Sequence, residues 1–229
     1  MASEAMAELY LIRHGQASLG ADNYDCLSAA GEQQGLWLGE HFVRDDVRFD
    51  HIVTGTLRRH AQTLDAIRHA LPTLPARCEI HPGLDEYDFY ALFAALPDEH
   101  RHLADAVKRG SREFFKALRQ VLRLWTEGTL VERAPETWSA FQQRVANARA
   151  AIQQSGAQRV LVVTSGGVIG AFVQQILQAP AATAIALNMQ ILNSSVTHCY
   201  FNREALQLSS FNGLAHLDDP QRHAFRTYG

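Results

Sequence analysis

Runs of strand-forming residues, broken by polar punctuation, set the pattern of this chain. The first, Leu9-Tyr10-Leu11-Ile12, stops abruptly on Arg13-His14-Gly15. The strongest, Arg159 to Thr164 (RVLVVT), is continuously β-branched or leucine apart from its first residue, which predicts a strand buried on both faces. Asp50 to Thr54 (DHIVT) and Cys78 to His81 (CEIH) predict shorter strands, the second closed by Pro82-Gly83. Ile191 to Phe201 and Leu206 to Phe211 predict an antiparallel pair joined through Asn202-Arg203-Glu204.

Between these runs the apolar spacing becomes helical. Ser28 is placed to cap a helix to about Arg44, and Thr56 to cap one from Leu57 to about Leu71, which Pro72 ends. Pro135-Glu136 opens another helix to about Gln154, with Phe141, Val145 and Ile152 on its buried side. Val168 to Gln178 is a further apolar helix, entered through Ser165-Gly166-Gly167. Gly31, Gly35 and Gly39 recur every four residues on the first helix, a spacing that suits close packing on a sheet.

From Leu84 the pattern changes. Asp85 to Tyr90 is acidic and aromatic, a loop signature, and Ala91 to about Thr126 is mostly helical with breaks near Pro97 and Gly110. That stretch reads as a helical insert over one end of the sheet, and the tail from Asn212 as irregular. Strands alternating with helices predict an α/β fold with a mainly parallel sheet, made mixed by the two late strands. The expectation is one domain over residues 1–229, with the insert at about 91–126.

Composition excludes more than it selects. A net charge of −3 offers no broad basic surface for nucleic acid or membrane, so any anion site has to be built locally from a few arginines. Cys26, Cys78 and Cys199 are odd in number and form no metal-type pair, which favours free thiols in a reducing compartment. Met1 to Ala7 is too short and polar for a signal peptide, and no apolar run reaches the ~20 residues needed to span a bilayer. The expected location is cytoplasmic.

Four strand or helix ends carry residues suited to chemistry. Arg13-His14-Gly15 is one. Thr56-Leu57-Arg58-Arg59 is the second; two arginines in a first helical turn oppose the macrodipole and make more sense if an anion joins them. The third is Asp85-Glu86-Tyr87-Asp88, where aromatic neighbours favour a carboxyl that holds its proton near neutral pH. The fourth, Thr164-Ser165-Gly166-Gly167, is a strand entering a glycine-rich turn and then a helix, a source of free backbone N–H groups. Arginine forks, a nucleophile and a proton donor are the set that phosphoryl transfer needs.

These segments, in order, resemble the histidine phosphatase superfamily, also called phosphoglycerate mutase-like: LIRHG, DNYDCLSAAGEQQ, LRRHAQT, LDEYDF, VLVVTSGGVI and NSSVTHCYF. The likeness spans nearly the whole chain and implies a three-layer α/β/α fold whose insert caps the active-site end. It implies that His14 is a transiently phosphorylated nucleophile and that Glu86 protonates the leaving oxygen. Arg13 and Arg59 would bind phosphoryl oxygens, with Ser165 and Gly166 beside them; no metal or organic cofactor is implied. Arg59 is preferred to Arg58 because it stands three residues before Gln62-Thr63.

One position departs from the family. Its LVVTHGG motif carries a second histidine where this chain has Ser165, and His60 replaces a residue that is usually small. Loss of such a donor typically costs ~10²–10³ in rate. His60 or His198 could supply the imidazole, although a structural role is the better expectation for both. The implied activity is hydrolysis of a small phosphoric monoester, possible at reduced rate. The alternatives are a phosphate-ester-binding sensor or partner-binding protein and, less favoured, a mutase-type phosphotransferase. The loop Leu19–Tyr24 and the insert Ala91–Thr126 would choose the substrate. A serine-hydrolase elbow fails, since Val163 stands where its first glycine belongs. His100 and His102 lie in a polar helical stretch and read as a solvated face rather than a metal pair.

Overall fold

Six strands form one sheet: β1 (Ala7–Arg13), β2 (His51–Thr54), β3 (Glu79–Ile80), β4 (Arg159–Thr164), β5 (Val196–Phe201) and β6 (Leu206–Gly213). Their order in the computed structural model, which describes residues 6–18, 25–108 and 110–228, is β3-β2-β4-β1-β5-β6. The β1–β4, β2–β4 and β2–β3 pairs are parallel; β1–β5 and β5–β6 are antiparallel. This is the expected mixed sheet. The C-terminal ends of the parallel strands, among them β1, β2 and β4, lie on one edge, where ligands bind in open α/β sheets.

Side-chain alternation along the central strands divides the core. Leu9, Leu11, Val160 and Val162 face one side, and Ile12, Leu161 and Val163 the other, all fully buried. Helices α1 (Ala29–Arg44) and α2 (Arg58–Ala70) cover the second side through Leu38, Phe42, Leu64 and Ile67. The insert follows as α3 (Phe89–Ala94), a 3-10 stretch (Asp98–Lys108) and α4 (Ser111–Thr126). Helices α5 (Trp138–Gln154) and α6 (Gly166–Ile176) cover the first side, and α7 (Ala181–Asn188) packs on α6.

Several elements differ from expectation for local reasons. Two glycines of the α1 row pack on α2 rather than on the sheet, since a Cβ at Gly35 would sit 2.7 Å from Ala66 Cβ and one at Gly39 2.5 Å from the Ile67 carbonyl oxygen, while Gly31 packs on the Gln16 backbone just beyond β1. Helix α5 begins at Trp138 under a Thr137 cap, past Pro135-Glu136. Helix α7 escapes a periodicity search because AATAIALN has no polar face to set against an apolar one. Strand β5 starts only at Val196, because Asn193, Ser194 and Ser195 before it form a buried polar connection. The tail is partly ordered as 3-10 turns at Ala215–Leu217 and Pro220–Phe225.

Candidate active site

His14 follows the last residue of β1, and its N–H donates to the Thr164 carbonyl of β4 (2.9 Å), which sets the ring at the strand ends. The ring is only 3% exposed. Its Nδ1 lies 2.7 Å from the Gly15 carbonyl oxygen, and Arg59 Nε lies 3.2 Å from its Nε2. A carbonyl only accepts and a guanidinium only donates, so the two contacts define the tautomer. The proton sits on Nδ1 and the lone pair on Nε2. Burial, reinforced by the Arg59 and Arg13 charges and by His60, holds the imidazole well below the usual histidine range and therefore neutral.

Glycine 15 is required here: a Cβ would lie 2.4 Å from the Gly31 carbonyl oxygen of α1. Its N–H donates to Thr63 Oγ1 (3.0 Å), and Thr63 in turn donates to the Arg59 carbonyl (2.7 Å). The nucleophile candidate and the arginine are thereby tied to each other through α2. Thr56 does not cap that helix; its N–H and hydroxyl both donate to Asp85, each at 2.6 Å. Asp25 takes the capping role from a distance. Its carboxylate accepts from the Arg58 and Arg59 N–H groups (2.8 and 3.4 Å) and from Arg59 Nη1 (2.9 Å). The arginine-rich first turn thus has an anion, and it is a side chain of this protein.

Glu86 is carried by a loop that β4 and α5 pin in place. Thr164 Oγ1 donates to the Leu84 carbonyl (2.5 Å), and Arg144 Nη1 donates to the Asp85 carbonyl (2.6 Å) while its fork grips Glu136. Beyond it, Tyr87 joins Trp125, Trp138 and Phe141 in an aromatic cluster that fastens the insert to α5. Burial pushes the Glu86 carboxyl up from its ordinary value. The Gly167 N–H (3.1 Å to Oε2) and the Arg59 and Arg13 charges pull it partly back. The free N–H expected at the start of α6 is thus directed at a carboxylate of this chain.

Ser165 is fully buried, and its Oγ lies 2.7 Å from His60 Nε2. The His60 ring, also fully buried, stands 5.8 Å from that of His14; burial and the Arg59 charge push it down to about 3. Its Nδ1 faces Asp85 Oδ1 at 4.0 Å, beyond hydrogen-bond reach. His198 lies elsewhere, beside Tyr10 and hydrogen-bonded to Glu8 near the start of β1.

Arg13, His14, Arg59 and Glu86 line one cavity of about 950 Å³, whereas Ser165, Gly166 and His60 are not among its lining residues. Of the two segments expected to select substrate, the insert lines the cavity through Arg112, Phe114 and Phe115, joined by Phe89 just before it, and the loop Leu19–Tyr24 is outside the described residues. Sequence reasoning missed Asp25, Arg144 and Asn188, which donates to Tyr87 Oη (2.9 Å). Asp25 had a signal, since an acidic residue in the loop before two N-terminal arginines is their natural partner. Arg144 and Asn188 had none. Among the described residues, no group of three or more His, Cys, Asp or Glu is placed to hold a metal. Among the same described residues, no helix is long and apolar enough to cross a membrane.

The mixed six-stranded sheet with its helices is an α/β fold that matches phosphoglycerate mutase-like neighbours. The profile of the histidine phosphatase superfamily (branch 1) matches residues 9–213, and the chain belongs to that superfamily. Among solved structures, phosphoglycerate mutase from Bacillus anthracis str. Sterne is similar, with a TM-score of 0.65 and 19% identity over 93% of this chain and 95% of that one. The alpha-ribazole phosphatase from Shigella flexneri gives a TM-score of 0.64 and 24% identity over 91% and 97%. Phosphoserine phosphatase from Entamoeba histolytica in complex with 3-phosphoglyceric acid gives 0.62 and 19% over 92% and 98%. A comparison with curated protein sequences finds no match.

Proposed function

We propose that this protein is a phosphoric monoester hydrolase that works through a phosphohistidine on His14. The observation that carries the reading is the defined tautomer: Nδ1 donates to Gly15, so Nε2 keeps a lone pair in a ring that stays neutral. In the first step Nε2 bonds to phosphorus as the ester P–O bond breaks. The departing oxygen takes the proton of Glu86, whose raised pKa favours its protonated form. In the second step water attacks phosphorus and gives a proton to the Glu86 carboxylate as the Nε2–P bond breaks, which returns the lone pair to Nε2 and releases inorganic phosphate. Arg13 and Arg59 carry fixed positive charge where the equatorial oxygens develop theirs.

Membership of a superfamily with phosphatase and mutase neighbours supports this reading, as does the placement of the four groups on one cavity. The chemistry uses only groups of this chain, so activity should persist in chelator. Turnover of an aryl phosphate between pH 5 and 8 is the test; the proposal fails if none appears or if His14→Ala keeps full activity. A second reading, a phosphate-ester binder with weak turnover, draws on one observation: the Ser165 side chain is engaged by His60 away from the cavity. The same assay separates the two, since a binder would be inhibited by phosphate esters without consuming them.

A further inference from the structure

A proton donor works only while its carboxyl is held at the leaving oxygen, and Glu86 is held through both of its sequence neighbours. The residues before it are pinned by Thr164 and Arg144. The residue after it is Tyr87, whose ring lies 5.4 Å from that of Trp125 and edge-on to Phe141 at 5.8 Å. Those contacts hold the ring body. Its hydroxyl is held separately, by Nδ2 of Asn188 at 2.9 Å. Asn188 is the last residue of α7 and lines the cavity with Arg13, Glu86 and Tyr87, yet the two-step reaction gives it no task.

The start of α6 is shaped to fit these groups. A Cβ at Gly167 would stand 2.2 Å from Glu86 Oε1 and 2.3 Å from Tyr87 Cε1, and one at Gly166 2.7 Å from Asn188 Oδ1. Two successive glycines thus make a floor against which carboxyl, ring and amide all rest. The Gly167 N–H donates to Glu86 Oε2 (3.1 Å) and the Tyr87 N–H to Oε1 (3.3 Å), so the backbone of Tyr87 bears directly on the carboxyl. A shift of Tyr87 therefore moves the proton donor.

We propose that Asn188 is a positioning residue for the proton donor: through its hydrogen bond to Tyr87 it holds the Glu86 carboxyl at the leaving oxygen. This rests on the phosphatase reading, which supplies the role of Glu86. Misplacing a reacting group by about 1 Å can cost ~10² in rate, and a general acid contributes ~10²–10⁴ in all. Loss of the link should therefore slow phosphoryl transfer by about tenfold to 10²-fold where the leaving group needs a proton. An ester whose leaving group departs as a stable anion should be nearly indifferent.

Hexyl phosphate and 2,4-dinitrophenyl phosphate differ in this need, and kcat/KM reads only the steps up to transfer onto His14. In Asn188→Ala the hexyl ester should lose about tenfold to 10²-fold in kcat/KM and the dinitrophenyl ester less than about threefold. Tyr87→Phe should show the same split, and the double variant should be no worse than the poorer single one, because both act through one bond. A purely structural role, or direct contact of Asn188 with the phosphoryl group, lowers both esters alike. That result, or an unchanged hexyl ester in Tyr87→Phe, would overturn the proposal. Carbon-13 titration of the Glu86 carboxyl reads the same link without turnover. Its raised pKa should fall in Asn188→Ala as the loosened side chain meets water, and an unchanged value would also overturn the proposal. Failure of the phosphatase reading looks different, as absence of aryl phosphate turnover in the unmodified protein.

Discussion

Placing a histidine at position 165 is the obvious way to test whether Ser165 limits the site, and the structure alters what that substitution should do. Ser165 and His60 are both without solvent exposure, and 2.7 Å separates their polar atoms. An imidazole added at 165 enters space that His60 fills, and overpacking of this kind costs about 1–3 kcal/mol. Ser165→Ala fails differently. It leaves His60 Nε2 without its partner in a ring whose Nδ1 already has none, at a cost of about 1–3 kcal/mol. Ser165→His should therefore lower the urea midpoint and not raise kcat, whereas His60→Ala/Ser165→His, which vacates one ring site as it fills the other, should recover stability. Urea unfolding of the parent, both single variants and the double variant gives the coupling directly; contacting residues normally couple by about 0.5–3 kcal/mol. The reasoning is refuted if Ser165→His alone is as stable as the parent and turns over faster, for then His60 does not restrict position 165.

Other consequences are separately measurable. Because Glu86 must be protonated to act, kcat should fall as pH rises through its elevated pKa. Glu86→Gln should remove that limb and cost an alkyl phosphate about 10²–10⁴ in rate, but an ester with an acidic phenol leaving group much less. His60 and His216, both pushed down to about 3, stay neutral when the unfolded chain takes up protons near pH 6.5. Stability should consequently fall from about pH 6.5 downward, by roughly 1.4 kcal/mol per pH unit for each ring once protonation of the unfolded chain is complete. His14 acts in the same sense, and the raised carboxyl of Glu86 opposes it only in part. Urea midpoints at pH 7, 6 and 5 that do not decline would contradict this. Asp25→Ala removes the remote cap of α2 and the partner of Arg59, so it should cost about 1 kcal/mol in urea unfolding. An unchanged midpoint would mean that water replaces the carboxylate.

Local signals made most of the architecture legible. Strands β1 and β4, each with residues buried on both faces, stand out as apolar runs, and the Ser28 cap marks the start of α1 because its hydroxyl does accept from Gly31 (3.2 Å). What escaped was tertiary. Helix α7 has no contrast between faces, and the glycine row on α1 shows close packing without naming the partners, which are α2 for Gly35 and Gly39 and the Gln16 backbone for Gly31. The site divides the same way. Arg13, His14, Arg59 and Glu86 can be picked out because strand ends and helix starts are readable and the motifs lie in order. Their supports, Asp25 under α2 and Arg144 under the Glu86 loop, are long-range contacts between residues with no local signature. The pairing of His60 with Ser165 is visible only when the segment after β2 is laid beside the segment after β4.

The central claim is that His14 Nε2 carries the phosphoryl group between substrate and water. Rapid-quench trapping with an aryl phosphate tests it most directly. The account predicts an acid-labile, alkali-stable phosphoenzyme, up to one group per chain, at His14 and absent from His14→Ala. Turnover with no such species at any quench time, or a phosphoryl group found on Ser165, would contradict it.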